Sequence, residues 1–519
     1  MMALRTGNPP QSERVASRKP WTALLLKPTE RQLVLALCCL AAIRVFVYSA
    51  AFPFFNNVDE DAHFDLVLKY SHGLVPRKLD LVSVEASNYM TLYGTPEYLL
   101  TPQQFPFPSP IWAAPERTKV RLLMWGASTR HPNAESSQAP LYYAVAALWL
   151  RLGQFFGLAG GLLLYWIRFL NVFLAAALVW LGFAAARLIF PEGRFVRLGV
   201  PVLLAALPQD IFYSIQNDVL SPLCFGMAFI GLVRWLRADV PSARLGLCTG
   251  LSLAAVCLVK VSNLPLVAVA AVAVLIQVWR LASAGRLRAA SPALTLLLLS
   301  AGLPIACWAA WNLHNFGDLT GSRPKIEMLG WTRKPLSEWL NHPIFTLRGS
   351  WYFWSTLMAS FWRGEFVWGL KGLHLPAADA FYSISSAVLA GTAMLGLFPR
   401  FAPASKPQRE ALWLGFCTFI ASVGYLALLS IVFDYGSCFY PSHSNPYFVS
   451  GRLLAGTLIP FFLVYLYGLE WAAIRLKSEG LLWWILAGMV VVMAGSQIAL
   501  DRVVFHSQWN WFHLLIGLR

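Results

Sequence analysis

Asp59, Glu60, Asp61, His63 and Asp65 follow directly on the first long apolar run of this chain, just past Phe52, Pro53, Phe54 and Phe55. Ionisable groups beside a bilayer are costly to desolvate and generally have a task there. If residues 59–72 are helical, Asp59 and His63 lie four apart on one face, with Glu60 one step round. A carboxylate in that place can take a proton from an attacking hydroxyl while the surrounding protein keeps bulk water out. Two plainer readings stay open: an acidic cap on a helix N-terminus, or a solvated acidic loop. If a divalent cation is used, Asp59, Glu60 and His63 are its candidate ligands.

Later segments offer partners for such a carboxylate. Residues 206–225 hold Gln209, Asp210, Gln216, Asn217 and Asp218 around a turn between two apolar runs, where they suit helix caps or a polar site equally. Arg323 and Lys325 bring positive charge to a side where topology does not ask for it, which suits an anionic ligand as well as an ordinary charged loop. Arg363, in SFWRGEFVWGL at 360–370, has Glu365 or a lipid phosphate as its alternatives. Gly451 and Arg452 open a late apolar run, where an arginine either snorkels to the interface or holds a phosphate with its planar donors. Lys260 is a turn residue near the same face, able to approach the same ligand. Pro140 can start a helix where the chain re-enters the membrane, and Tyr142 and Tyr143 suit the interface.

The elements that must position these residues are membrane helices. Of 519 residues, 57% are hydrophobic and 13% charged. The apolar runs of about 17 to 25 residues have the length of spanning helices and exceed any barrel strand. Backbone groups in hydrocarbon must be paired within the protein, so the expected fold class is an all-α polytopic membrane bundle. The 41 Lys and Arg against 25 Asp and Glu, a formal charge of +16, would suggest a nucleic-acid partner in a soluble protein. Here the basic residues gather in short loops as cytoplasmic topology anchors, and no nucleic acid is expected.

Residues 1–31, with Arg5, Arg14, Arg18, Lys19, Lys27 and Arg31, read as a cytoplasmic tail before a retained first span. The transmembrane domain then covers 32–499, with spans at 32–50, 198–215, 219–236, 244–260, 262–279, 291–310, 380–398, 411–432, 453–473 and 481–499. The charge phase places 312–379, 434–450 and the tail 500–519 outside. The block 140–190 resists this phase, because two crossings would leave Arg187, Arg194 and Arg197 outside, so about 10 to 13 spans are expected. Residues 52–139 form a large first extracytoplasmic loop, too long for a connector. Its aromatic residues, among them Phe105, Phe107, Trp112 and Trp125, point to helices or turns at the interface.

Seven of the eight cysteines lie in or beside apolar runs, and no spacing suggests a disulfide framework or a thiolate metal site. A P-loop, a Rossmann fingerprint, an HExxH zinc site, a nucleophile elbow and a haem attachment motif are all missing from the sequence. That argues against an ATP-driven pump and a cytoplasmic nucleotide-sugar enzyme, and leaves a secondary transporter open.

The order of these strings resembles the GT-C superfamily of integral-membrane glycosyltransferases, including bacterial protein mannosyltransferase-like and aminoarabinose transferase-like enzymes, and within it a bacterial branch of predicted membrane proteins. The shared order is acidic DE with a following His, then PLYY, LPQ with ND, WN with GD, SFW, and GRLL, over roughly residues 50–470. The resemblance implies a GT-C-like helix bundle in the bacterial inner membrane with its active site facing the exterior. It implies a sugar on polyprenyl phosphate as donor, a glycan, lipid or protein hydroxyl as acceptor, and membrane lipids as surroundings. Carried over residue by residue, Asp59 is the general base, Glu60 orients base or acceptor, His63 is the following histidine, and Arg452 contacts the donor phosphate. Arg323, Lys325, Arg363 and Asp218 are further donor-side candidates. Leu453 replaces the usual aromatic after GR, and SFWRGEF departs from the glycine-rich form. Transfer with inversion by one base and a positive clamp is the expected mechanism. The alternative is a polytopic transporter or flippase for lipid-linked glycans.

Overall fold

The computed structural model describes residues 29–55, 59–105, 109–127, 129–398, 404–438 and 440–517. The basic tail before Thr29, and Pro106, Phe107 and Pro108 of the first loop, lie outside the described residues. In chain order, α1 (Glu30–Ala51) leads into a first loop carrying α2 (Glu60–Ser71), α3 (Val84–Tyr93) and α4 (Thr118–Trp125). The bundle continues through α5 (Leu141–Phe155), α6 (Gly160–Ile189), α7 (Arg194–Ala206), α8 (Ser221–Arg237), α9 (Ala243–Val259), α10 (Leu264–Ser283) and α11 (Leu287–Phe316). A second polar region holds α12 (Arg323–Met328), α13 (Leu336–Trp339) and α14 (Leu347–Arg363). The chain ends with α15 (Pro376–Leu397), α16 (Lys406–Val432), α17 (Leu458–Arg475), α18 (Leu482–His506) and α19 (Trp511–Gly517). The strands among the described residues are two residues long, pairing Thr332–Arg333 with Phe433–Asp434 and Val367–Trp368 with Lys371–Gly372.

Several helices begin on residues that satisfy the first turn. Thr29 and Gln32 close α1 with a reciprocal capping box, and Ser405 with Gln408 does the same for α16. Proline stands in the first turn of α8, α10, α15 and α16, where its missing N–H has no partner to lose.

Among the described residues, nine helices are long and apolar enough to cross a membrane. Two shorter ones run between the same two ends. Arg197, near the start of α7, pairs with Glu30 at 2.6 Å, and beyond its end the Phe212 carbonyl accepts from Ser49 Oγ at 3.2 Å, so this stretch runs parallel to α1. Likewise the Val259 carbonyl, at the end of α9, accepts from Asn217 at 3.2 Å, just before α8, so α8 and α9 form a full-length hairpin. By length and apolarity the count among the described residues is nine, one below the range of about 10 to 13 expected from the charge phase, and α7 and α9 are the shorter helices that share their course.

The resistant block 140–190 crosses once. α5 runs beside α2 of the first loop, with Tyr143 2.7 Å from His63 and Arg151 donating to the Ser71 carbonyl at 2.9 Å, so it stays at the loop's end and the 30-residue α6 makes the crossing. Arg187, Arg194 and Arg197 therefore stand at the same end as Glu30, as do Arg280 and Glu410, which pair at 2.9 Å. At the opposite end the first loop folds down on the bundle. Asp65 accepts from the Ser83 N–H and the Asn133 amide, each at 2.8 Å, and pairs with Lys69 at 2.7 Å, so one carboxylate ties three parts of the loop together. The C-terminal segment shares this end: Trp509 packs edge-on to Trp112, and the Arg121 guanidinium lies 4.7 Å over its ring.

Candidate functional site

The recurring strings of the sequence meet as braces around Arg452. The Gln209 side-chain amide donates to the carbonyls of Ser360 (3.0 Å) and Phe361 (2.7 Å), which end α14. Ser360 Oγ accepts from the Gly451 N–H at 2.9 Å and donates to the Val449 carbonyl at 2.8 Å. Asp210 accepts from the Glu365 N–H at 2.9 Å. A Cβ on residue 451 would stand 2.0 Å from the Phe361 nitrogen, so glycine alone permits the approach that sets Arg452 in place. Gly364 is fixed twice over, by φ +87° and by Asp210, whose carboxyl carbon would be 2.1 Å from a Cβ.

Arg452 meets Asp59 across 393 residues of sequence, Nη2 to Oδ2 at 2.9 Å. Asp59 is the residue before α2, with φ 61°, and its side chain makes no capping bond. The capping alternative therefore fails for Asp59, whose carboxylate instead faces Arg452 and remains 45% exposed. Around this pair stand two more. Lys260 binds Asp218 at 2.7 Å, both nearly buried, and Lys325 binds Glu135. Six segments far apart in the chain thus deliver three cations and three carboxylates to one end of the bundle.

Burial alone would raise the Asp59 carboxyl, but Arg452, with Lys325 behind it, outweighs burial and the nearby Glu135 and holds it below the usual range. Glu135 is likewise held low against burial by Lys325, and Lys325 is held high against burial by Glu135 and Asp59. Two other carboxyls beside Arg452 go the opposite way. Burial, with Glu365 next to it, pushes Asp210 up to about 7, and burial raises Glu365 as well. Asp59 is thus the carboxylate of this group that is both held ionised and open.

The other expected site residues are distributed differently. Glu60 leaves the reacting group: its carboxylate is fully buried, forks onto Arg168 at 2.7 and 2.6 Å, and accepts from the Ile215 N–H at 2.9 Å. His63 is buried, its Nδ1 2.7 Å from the Tyr143 hydroxyl. Burial pushes its imidazole down to about 4, so it is neutral near pH 7. Asp59, Glu60 and His63 therefore point to three different partners rather than to one ion, and among the described residues no three His, Cys, Asp or Glu converge as metal ligands.

Lys325 reaches the cluster, whereas Arg323, two residues earlier, stays on the surface paired with Glu327 at 2.7 Å. Arg363 takes neither Glu365 nor an outward position. It forks onto Asp379 at 2.6 and 3.0 Å, joining α14 to α15. Asp218 is in the cluster, but as the counter-charge of Lys260.

Two residues of this region escaped the sequence reading. Arg168 sits within a long apolar run, where a charge demands a buried partner, and that signal was available. Glu135 lies one residue ahead of the SSQAPLYY string, and no local signal marks it, because Lys325 is 190 residues away.

Fold and site define an all-α, multi-pass membrane protein with a charged cluster enclosed at one end of its helix bundle. The family model described as "Predicted membrane protein (DUF2142)" matches residues 43–438, and the chain belongs to that family. Comparison with curated proteins and with solved structures gives no match.

Proposed function

We propose that this protein is a membrane glycosyltransferase of GT-C type, moving a sugar from a polyprenyl-phosphate donor to a hydroxyl-bearing glycan, lipid or protein. The observation that carries the reading is the Asp59–Arg452 pair, an open, ionised carboxylate against a cation that cannot lose its proton. The depth of the site favours a lipid-borne substrate. Arg168, at the level of Glu60, is 21 residues from the far end of α6, about 31 Å at 1.5 Å per residue, or one hydrocarbon thickness. A phosphate anchored in the near leaflet stands at that height.

Asp59 would take the acceptor hydroxyl proton as the acceptor oxygen bonds to the anomeric carbon. The bond from that carbon to the phosphate oxygen breaks, its electron pair leaving with polyprenyl phosphate, whose charge Arg452 stabilises. Attack opposite the leaving group inverts the anomeric centre. A phosphate leaves as an anion, so one base suffices and no second carboxyl acid is needed. On this reading the arginine-rich end faces the cytoplasm of a bacterial inner membrane and the site faces outward.

The concentration of ionised pairs at one level disfavours the transporter reading, which calls for charges along a path through the bundle. Purified protein supplied with polyprenyl-phosphate sugars and glycan acceptors tests the proposal. Transfer should be lost in Asp59→Asn with the thermal melt unchanged, and transfer undiminished in that variant removes Asp59 as base.

A further inference from the structure

We infer that Asp59 occupies, on Arg452, the seat of a ligand phosphate, so that an incoming phosphate displaces the carboxylate and thereby releases the base. The inference rests on the reading of Arg452 as a phosphate contact and adds an order of events to it.

Three observations say which partner stays and which leaves. The backbone at Arg452 is clamped, since the Gly451 N–H is held by Ser360 Oγ at 2.9 Å and glycine permits no slack against Phe361. Asp59 has no such tie at its side chain. Its carboxylate makes no helix cap and its backbone is in the left-handed region, so the Arg452 contact is what holds it there. Finally, the other carboxylates of the cluster are committed elsewhere: Asp218 to Lys260 and Glu135 to Lys325, each almost fully buried, while Asp59 is 45% exposed.

An oxyanion that reaches Arg452 must compete with a carboxylate already bound there. A phosphate presents more charge and more acceptor oxygens to a guanidinium than one carboxylate does. While the pair is closed, Asp59 is a poor base, because the arginine stabilises its ionised form. Once phosphate takes the arginine, that stabilisation passes to the ligand and Asp59 regains basicity beside the sugar. Donor therefore binds before acceptor, and water meets an activated base only when the donor is already seated.

The pair also taxes affinity, since only the open fraction accepts a phosphate. Removing the competitor should tighten binding even as it removes catalysis, the reverse of what a carboxylate that merely contacts ligand would show. The test measures binding of a polyprenyl monophosphate and, separately, inorganic phosphate to full-length wild type, Asp59→Asn and Arg452→Gln in lipid nanodiscs. Asp59→Asn should bind the lipid phosphate about fivefold to tenfold tighter than wild type, and Arg452→Gln should lose it. Tightening for inorganic phosphate as well places the recognition in the headgroup, and tightening for the lipid alone shows that the isoprenoid chain is required. Unchanged or weaker binding in Asp59→Asn overturns the exchange while leaving the phosphate reading intact, and no binding by any form overturns both. Carbodiimide labelling of Asp59 in the wild type, which needs no variant to fold, should rise on adding the lipid phosphate, and labelling that is unaffected or suppressed counts against exchange.

Discussion

Asp59 and Glu60 are neighbours in the chain, each meets an arginine, and the two pairs have opposite characters. Glu60 and Arg168 are both fully buried. Arg168 also donates to the carbonyls of Ser49 (3.3 Å), Phe52 and Pro53 (2.8 Å), and lies 3.8 Å over the Phe54 ring. Its guanidinium thus satisfies the frayed end of α1, while Glu60 fixes the start of α2 and the Ile215 backbone. Every oxygen and most donors are spoken for, so nothing is left to act on a ligand. Asp59 and Arg452 meet at 2.9 Å with the Asp59 side chain 45% exposed, and further carboxyls stand close by. Full burial marks the first pair as structural, and the exposure of Asp59 marks the second as available.

Breaking the sealed pair should have the largest effect on folding. Arg168→Met leaves Glu60 as an uncompensated buried charge and takes a donor from the carbonyls of Ser49, Phe52 and Pro53, a loss of about 3–5 kcal/mol, read as a fall in melting temperature and in monodisperse yield. Gly451→Ala comes next, since its Cβ must displace the end of α14 and costs about 1–3 kcal/mol, with activity falling alongside because Arg452 moves with it. Asp59→Asn, one residue from Glu60, should change stability by about 1 kcal/mol or less while abolishing transfer; a large loss of stability would erase the contrast between the two pairs.

A pH scan probes the wall of the site. His63 has its imidazole lowered in the fold, so below the ordinary histidine range the unfolded chain takes a proton that the folded chain refuses. Stability contributed by the neutral ring is present above about pH 6.5 and is lost as pH falls toward about 4, at up to about 1.4 kcal/mol per unit. His63→Gln should flatten that part of the stability profile. The smallest effect belongs to Arg323→Ala, which removes one exposed i,i+4 pair with Glu327 and should leave the melting temperature and transfer unchanged.

Much of this was legible from residue order. The long apolar runs and the end-to-end alternation of Arg and Lys predict the passes and their phase, and the string order marks Arg452 and Asp59 as a pair worth bringing together. The reading went astray where a side chain's direction mattered. DE looks like one acidic site, but Asp59 precedes α2 in a left-handed conformation while Glu60 is its first helical residue, so the two carboxylates leave the backbone in different directions. SFWRGEF looks chemical, yet Gln209, Asp210 and Gly451 use it mainly as a brace, and its arginine turns to Asp379.

Composition and periodicity alone determined that this chain crosses a membrane many times, because unpaired backbone in hydrocarbon is too costly for any alternative to helices of this length. They also determined which end gathers the arginines, since that rests on local charge and not on packing. Only the tertiary structure decided that Lys325 enters the cluster and Arg323 does not, that Glu135 belongs with residues 190 positions away, and that Glu60 is sealed while Asp59 is open. Ion pairing acts over a few ångströms through space and takes no account of separation along the chain, so each charge acquired its partner only when the helices had closed around it.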